Sequence, residues 1–186
     1  IVIVLADDLG YGSLNSYGAD EAHIRTPNID RLAQSGRRFT DANTPSSVCS
    51  PTRYGLLTGR YDWRTDQKHG VLNTTDPLHI ETSRSTIASL LKSAGYRTAA
   101  IGKWHLGYGS ERHDFRKPLS PGPLDIGFDY HFAVPQNHGD ASGVYVRNRA
   151  VVGLRSDRTV AAGTSPYGRE YMGIDAPQRV DVNVMD

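Results

Sequence analysis

Apolar residues cluster along this chain in patterns that predict both strands and helices. Residues 1–6 form an unbroken apolar run rich in β-branched side chains, and residues 97–101 have the composition of a second, shorter strand. Runs of this kind are typical of strands that are buried on both faces of a parallel sheet. The first run ends in an acidic and glycine-rich segment, which predicts a loop at that end of the strand.

Two other segments have the spacing of amphipathic helices. Thr26 is a suitable N-cap for the first, Ile29 and Leu32 lie on one face, and Gly36 ends it. A second helix of the same kind is predicted over residues 85–95. Strands that alternate with short helices predict an α/β fold, with a mostly parallel sheet sandwiched by helices.

The rest of the chain is less regular. A loop-rich stretch is expected near residues 108–127, where glycine, proline and charged residues are frequent, and a hairpin is expected near residues 143–152. The length suits one domain of ordinary size, so residues 1–186 are predicted to belong to a single domain.

Composition and charge exclude several classes of protein. The 21 basic and 20 acidic residues leave a net charge of +1, which argues against a nucleic-acid partner held by bulk electrostatics. No apolar run is long enough to cross a bilayer, so no membrane span is predicted. The single cysteine excludes an internal disulfide.

That single cysteine, Cys49, lies in a distinctive local setting. Pro51 suits the first turn of a helix, Gly59 suits the end of that helix, and Arg53 follows Cys49 by one turn. Cys49 is therefore predicted at the positive end of a short helix beside a guanidinium, where a thiolate or a bound oxyanion is stabilised. A lone cysteine is otherwise usually a small buried apolar residue.

Three motifs in this order resemble a known family. Residues 49–53 read Cys-Ser-Pro-Thr-Arg and are followed by Leu-Thr-Gly-Arg at 57–60, while residues 1–10 end in Asp-Asp-Leu-Gly and residues 102–107 read Gly-Lys-Trp-His-Leu-Gly. Together they resemble the type I, formylglycine-dependent sulfatases of the arylsulfatase type. The resemblance extends from residue 1 to about residue 130, and it implies the N-terminal portion of the alkaline-phosphatase-like sulfatase fold.

The resemblance implies that Cys49 is oxidised to formylglycine, whose hydrate carries two hydroxyl groups. One hydroxyl attacks the sulfur of a sulfate ester and the alcohol leaves, so that sulfate remains covalently bound. The second hydroxyl is then deprotonated and collapses to the aldehyde, which expels inorganic sulfate. This is covalent catalysis in two steps, and a serine would lack the second hydroxyl that drives release.

Asp7 and Asp8 are candidate metal ligands. Adjacent carboxylates at the end of a strand repel each other unless a cation lies between them, and their oxygens suit Ca²⁺ or Mg²⁺. A solvated turn is the alternative interpretation. The resemblance implies a Ca²⁺ site formed by this pair, with the modified Cys49 as a further metal ligand.

Three further residues have catalytic roles by the same resemblance. Arg53 would stabilise the ionised hydroxyl, Lys103 would neutralise a sulfate oxygen, and His105 would be the base for the second hydroxyl. Alternate residues of an extended segment point to the same side, so Lys103 and His105 are expected to face one site. Trp104, between them, is expected to be a packing residue.

Several polar loop residues could also line a substrate pocket. These are His69, Asn137, His138 and Asp140, although the last three form a segment that has the composition of an ordinary turn.

The family's motif is incomplete in this chain, because no counterpart is found for its downstream metal ligands, its second histidine or its second lysine. The chain is therefore expected to be an N-terminal part of a sulfatase whose remainder is missing, and to be inactive by itself. The expected substrate is a sulfated carbohydrate or an aryl sulfate, and the expected maturation partner is the formylglycine-generating enzyme.

Two alternatives stay open at this point. The chain could belong to a phosphate mono- or diester hydrolase of the alkaline phosphatase superfamily, or it could be a non-catalytic, sulfatase-like fragment. Resemblance to the family implies export to the periplasm, the extracellular space or the lysosome, although no signal is visible in the chain.

Overall fold

The structure, a computed structural model, describes residues 1–136, 143–164 and 170–177, which fold as two units, Ile1–Thr44 and Pro45–Asp186. The described helices are α1 (Pro27–Ser35), α2 (Cys49–Thr58) and α3 (Ile87–Ser93), with short 3₁₀ turns at Tyr11–Ser13, Asn15–Tyr17, Asp62–Arg64 and Pro123–Ile126. The described strands are β1 (Ala99–Lys103), β2 (Tyr130–Val134), β3 (Val146–Arg147), β4 (Ala150–Val151), β5 (Thr159–Thr164) and β6 (Glu170–Ile174). No helix among these residues combines the length and apolar character needed to cross a membrane.

The first unit is held by local polar contacts, and none of its residues is buried. Asn15 is central to these contacts: its side-chain oxygen accepts from the Thr26 amide at 2.7 Å, and its amide group donates to the Ile24 carbonyl at 2.8 Å. The amide of Ser16 donates to Asp30, in the first turn of α1, at 2.9 Å. The turn before α1 is therefore tied back to the helix by side chains.

The prediction of a buried strand over residues 1–6 is wrong for this structure. No strand is assigned there, and Ile1, Val2 and Val4 are between 81% and 88% exposed. A strand forms only where a neighbouring strand pairs with its backbone, and the first unit contains no other strand among the described residues. An apolar run encodes a preference for burial but does not supply that partner.

The second unit contains a four-stranded sheet in the order β1-β2-β3-β4 and a two-stranded sheet of β5 and β6. β1 and β2 are parallel, with Ala99 opposite Tyr130 and Lys103 opposite Val134, whereas β2, β3 and β4 are antiparallel neighbours. The α/β prediction is confirmed, but the described sheet is mixed rather than mostly parallel. One reason is the β3–β4 hairpin, since strands joined by a two-residue turn can only be antiparallel.

The core of the second unit forms beside the carboxyl end of β1. Its buried apolar members include Tyr54, Ile80, Trp104, Leu106, Tyr108, Phe115 and Phe128. Gly107 follows this strand with φ = +73°, and a Cβ on it would lie 2.0 Å from the Pro77 carbonyl oxygen. Only glycine fits this close approach, which packs the turn after β1 against the loop before α3.

Candidate active site

Cys49 is the first residue of α2, and it is half-buried. The helix begins two residues earlier than Pro51 alone indicated, with Val48 as its N-cap, and ends as predicted at Gly59, which has φ = +65° and donates to the Gly55 carbonyl at 2.9 Å. The first backbone N–H groups of a helix carry partial positive charge. Cys49 therefore lies where negative charge is stabilised.

Lys103, the last residue of β1, reaches the same point. Its Nζ atom lies 3.1 Å from the Cys49 Sγ atom. An ammonium group in this position stabilises negative charge on the residue 49 side chain, or on an anion bound beside it. The structure thus brings together two predicted site residues that are 54 positions apart in sequence.

Arg53 connects the same two elements. Its Nη1 group donates to the backbone carbonyl of Lys103, so the guanidinium joins α2 to the carboxyl end of β1. The side chain is half-buried, which is unlike the surface ion pair that an exposed arginine commonly forms.

His105 lies beyond the end of β1 and does not continue its extended alternation. The residue has φ = +55° and its side chain is 2% exposed. The extended alternation on which the shared face was predicted therefore ends at Lys103, because the backbone of His105 is left-handed, and a shared site for the two side chains stays a prediction. His105 Nε2 lies 2.9 Å from the Leu72 carbonyl oxygen, and because a carbonyl can only accept, Nε2 carries the hydrogen.

Two residues that sequence reasoning missed, Ser50 and Gln136, bond to the backbone of His105 and of Leu72. The Ser50 hydroxyl donates to the His105 carbonyl at 2.8 Å and accepts from the Leu72 amide at 3.1 Å. The Gln136 side chain donates to the Leu72 carbonyl at 3.1 Å. Ser50 occupies the variable place of Cys-x-Pro-x-Arg, so its adjacency to Cys49 is the one signal that could have singled it out.

Asp7 and Asp8 lie in the first unit and are both exposed, and Asp8 has φ = +55°. Their oxygens are the hard ligands that Ca²⁺ prefers, but Ca²⁺ takes six to eight ligands. Among the residues that the structure describes, no three His, Cys, Asp or Glu side chains come together as a metal site. The pair thus fits Ca²⁺ by donor chemistry, as a part of its ligand shell.

Of the remaining loop candidates, the structure describes His69 alone. His69 is exposed, and its carbonyl accepts from the Gln67 side chain at 2.6 Å. Asn137, His138 and Asp140 lie outside the described residues. Trp104 is 4% exposed and its indole N–H donates to the Gly107 carbonyl at 2.7 Å, which agrees with a packing role.

Comparison with known proteins defines the class. The family model described as Sulfatase matches residues 1–165. An N-acetylgalactosamine-6-O-sulfatase of Bacteroides thetaiotaomicron is 44% identical over 155 residues, which cover 83% of this chain and 30% of that protein. Human arylsulfatase A is 41% identical over 138 residues, which cover 74% of this chain and 25% of that enzyme.

A solved structure from work on the metabolism of multiple glycosaminoglycans by Bacteroides thetaiotaomicron superposes with a TM-score of 0.77 at 41% identity, over 86% of this chain and 33% of that one. The fold is the N-terminal portion of the alkaline-phosphatase-like fold of the sulfatases. The chain belongs to the sulfatase family. It spans about a third or less of the length of these relatives.

Proposed function

We propose that this chain is the N-terminal part of a sulfuric ester hydrolase that uses a formylglycine made from Cys49. The observation that carries the proposal is the contact between the Lys103 ammonium and the Cys49 sulfur, 3.1 Å apart at the start of α2. A nucleophile with a cation and a helix N-terminus beside it is suited to an anionic ester, since both also stabilise the ester's oxygens.

The first chemical step is attack on the ester. One hydroxyl of hydrated residue 49 loses its proton and forms a bond to sulfur, the bond from sulfur to the alcohol oxygen breaks, and that oxygen takes up a proton as the alcohol leaves. Lys103, within reach of residue 49, neutralises charge that develops on a sulfate oxygen. Arg53 keeps Lys103 at this position through its bond to the Lys103 carbonyl and adds a second positive charge to the surroundings.

The second step releases sulfate. His105 removes the proton from the remaining hydroxyl, the carbonyl of the aldehyde re-forms, and the bond to sulfate breaks. Since His105 Nε2 donates to the Leu72 carbonyl, the lone pair of the neutral imidazole is on Nδ1, which makes Nδ1 the basic atom.

Asp7 and Asp8 remain proposed Ca²⁺ ligands on the strength of their donor chemistry. The ion would stabilise negative charge on the sulfate. The role of residue 49 in that ligand set stays a prediction from the family resemblance.

The proposed substrate is a sulfated carbohydrate. Support comes from the relative named N-acetylgalactosamine-6-O-sulfatase and from a solved relative in complex with D-glucosamine-2-N,6-O-disulfate, which has a TM-score of 0.52 at 27% identity over 78% of this chain and 27% of that one. Maturation by the formylglycine-generating enzyme and export from the cytoplasm belong to the same proposal. The 186-residue chain alone is expected to be inactive, because the family's downstream ligands have no counterpart in it.

Hydrolysis of a sulfate and a phosphate ester of one phenol, measured in parallel with the protein at its natural length, tests the function. A faster sulfate reaction is expected. It should fall about 100- to 1,000-fold on Lys103→Gln and persist on Lys92→Gln, a control that removes an ammonium from the exposed pair with Asp129. A faster phosphate reaction would identify a phosphoesterase. Absence of turnover of either ester and of sulfated N-acetylgalactosamine would favour a non-catalytic protein.

A further inference from the structure

The hydroxyl of Ser50 bonds to two chain segments that are distant from it in sequence. It donates to the His105 carbonyl at 2.8 Å and accepts from the Leu72 amide at 3.1 Å. Ser50 is 0% exposed and Leu72 is 6% exposed, so neither bond competes with bulk water. A hydroxyl has one hydrogen to donate, and here that hydrogen is directed at the backbone of the proposed base.

Leu72 completes the connection. Its backbone N–H is held by Ser50, and its carbonyl is held by the imidazole of His105 at 2.9 Å. Gln136 adds a second donor to the same carbonyl at 3.1 Å and accepts from the Thr74 hydroxyl. Ser50 is thus connected to His105 in two ways. Its hydroxyl bonds directly to the His105 carbonyl, and it also bonds to Leu72, whose carbonyl accepts from the His105 ring.

We propose that Ser50 is a positioning residue for His105, which couples the helix carrying Cys49 to the backbone and to the ring tautomer of the base. This inference rests on the proposed function for its catalytic consequence, but its structural content does not depend on that function. With the Leu72 carbonyl fixed, the neutral imidazole carries its hydrogen on Nε2, and Nδ1 is the atom that accepts a proton.

The backbone of His105 gives an independent reason for such a constraint. Its φ of +55° is uncommon for a residue other than glycine and persists where the surroundings enforce it. The Ser50 hydroxyl on its carbonyl is one such contact, and the His105 amide, which donates to the Pro135 carbonyl at 2.9 Å, is another. Both ends of the residue are therefore held, one by α2 and the other by the segment after β2.

Thr86 offers a matched control. Its hydroxyl also donates to one backbone carbonyl, that of Ile126 at 2.6 Å, and accepts from one backbone amide, that of Ser89 at 3.0 Å. It is 3% exposed and it caps α3, so Thr86→Val removes the same kinds of bond at a site without predicted catalytic residues.

The test uses the protein at its natural length with ¹⁵N-labelled histidine, where His105→Gln assigns the ring signals. The wild type is expected to show the Nε2–H tautomer of His105, and Ser50→Ala to show a mixture. Turnover per formylglycine-containing molecule should fall about 10- to 100-fold in Ser50→Ala, with KM changed less than about twofold, as for lost supporting contacts. Ser50→Thr should restore both readouts, and Thr86→Val should lower only the melting temperature.

An Nδ1–H tautomer in the wild type would overturn the proposal, as would a Ser50→Ala variant with the tautomer and turnover of Thr86→Val. Should Ser50→Ala not fold, Ser50→Cys keeps the volume but hydrogen-bonds weakly, and an unchanged tautomer there would overturn the proposal equally. A wild type without sulfatase activity whose tautomer responds to Ser50→Ala would count against the proposed function and leave the positioning of His105 standing.

Discussion

Residues of two of the sulfatase motifs, those around Cys49 and around Lys103 and His105, are held very differently from Asp7 and Asp8. Hydrogen bonds from Ser50, Arg53 and Lys103, each spanning 50 or more positions of sequence, join the first two. Asp7 and Asp8 are exposed, in a unit without a buried residue among its 44 positions. The residues around Cys49, Lys103 and His105 are therefore the assembled part of the predicted site, whereas the Ca²⁺ role of Asp7 and Asp8 stays a prediction.

The largest expected effect concerns the nucleophile. Cys49→Ser should lower turnover by at least about a thousandfold, because a serine can accept the sulfate but has no second hydroxyl to expel it. Mass spectrometry should then find sulfate retained on residue 49 after incubation with an aryl sulfate. Turnover by Cys49→Ser near the wild-type rate would show that the assembled part of the site has another role.

The second largest effect on turnover is expected for Lys103→Gln. Removing one preorganised charge from the reacting oxygens should lower kcat by about 100- to 1,000-fold. The measurement is steady-state hydrolysis of a sulfated sugar, with Lys92→Gln expected to keep the wild-type kcat. Equal losses in the two variants would mean that the contact with Cys49 has no catalytic value.

The third effect concerns His131, which lies in the buried core beside the assembled part of the site. It is 0% exposed, lies edge-on to Trp104 and Tyr108, and burial lowers its pKa to about 4. The His131 imidazole therefore binds a proton near pH 6.5 in the unfolded chain, but only near pH 4 in the folded chain. The contribution of the buried neutral imidazole to the free energy of unfolding is fully present above pH 6.5. It is lost as the pH falls, by about 3 kcal/mol at pH 4.

Urea unfolding at pH 7.5 and pH 4 checks this, since His131→Phe should remove about 3 kcal/mol of the difference between the two pH values. His23→Phe is the control, because that side chain is 81% exposed. Identical pH dependence in the wild type and in His131→Phe would contradict the assignment of this acid sensitivity to the core.

The smallest effect is expected at the exposed carboxylates. Asp8→Asn should weaken Ca²⁺ binding by at least about tenfold, because it removes one anionic ligand, and should leave the free energy of unfolding without Ca²⁺ within about 0.5 kcal/mol. Calorimetric titration with Ca²⁺ measures the first quantity, and Asp20→Asn is a control in the same unit. Unchanged Ca²⁺ affinity in Asp8→Asn would remove this residue from the ligand set.

The sequence predicted the structure around Cys49 better than that of the segment before Asp7 and Asp8. The helix at Cys49 and the end of that helix at Gly59 follow from local chemistry, and the structure has both. Only its place beside Cys49 pointed to Ser50, and nothing pointed to Leu72, because its role lies in the bonds of its backbone groups to side chains of distant segments. The strand over residues 1–6 was wrong for the same reason, since apolar composition does not specify a pairing partner.

The central claim is that Cys49 is the precursor of the nucleophile, and the mass of the peptide containing residue 49 tests it most directly. In protein purified from its own host, we expect the thiol to be replaced by an aldehyde that reacts with a hydroxylamine probe. A peptide that retains an unmodified thiol throughout active protein would contradict the account.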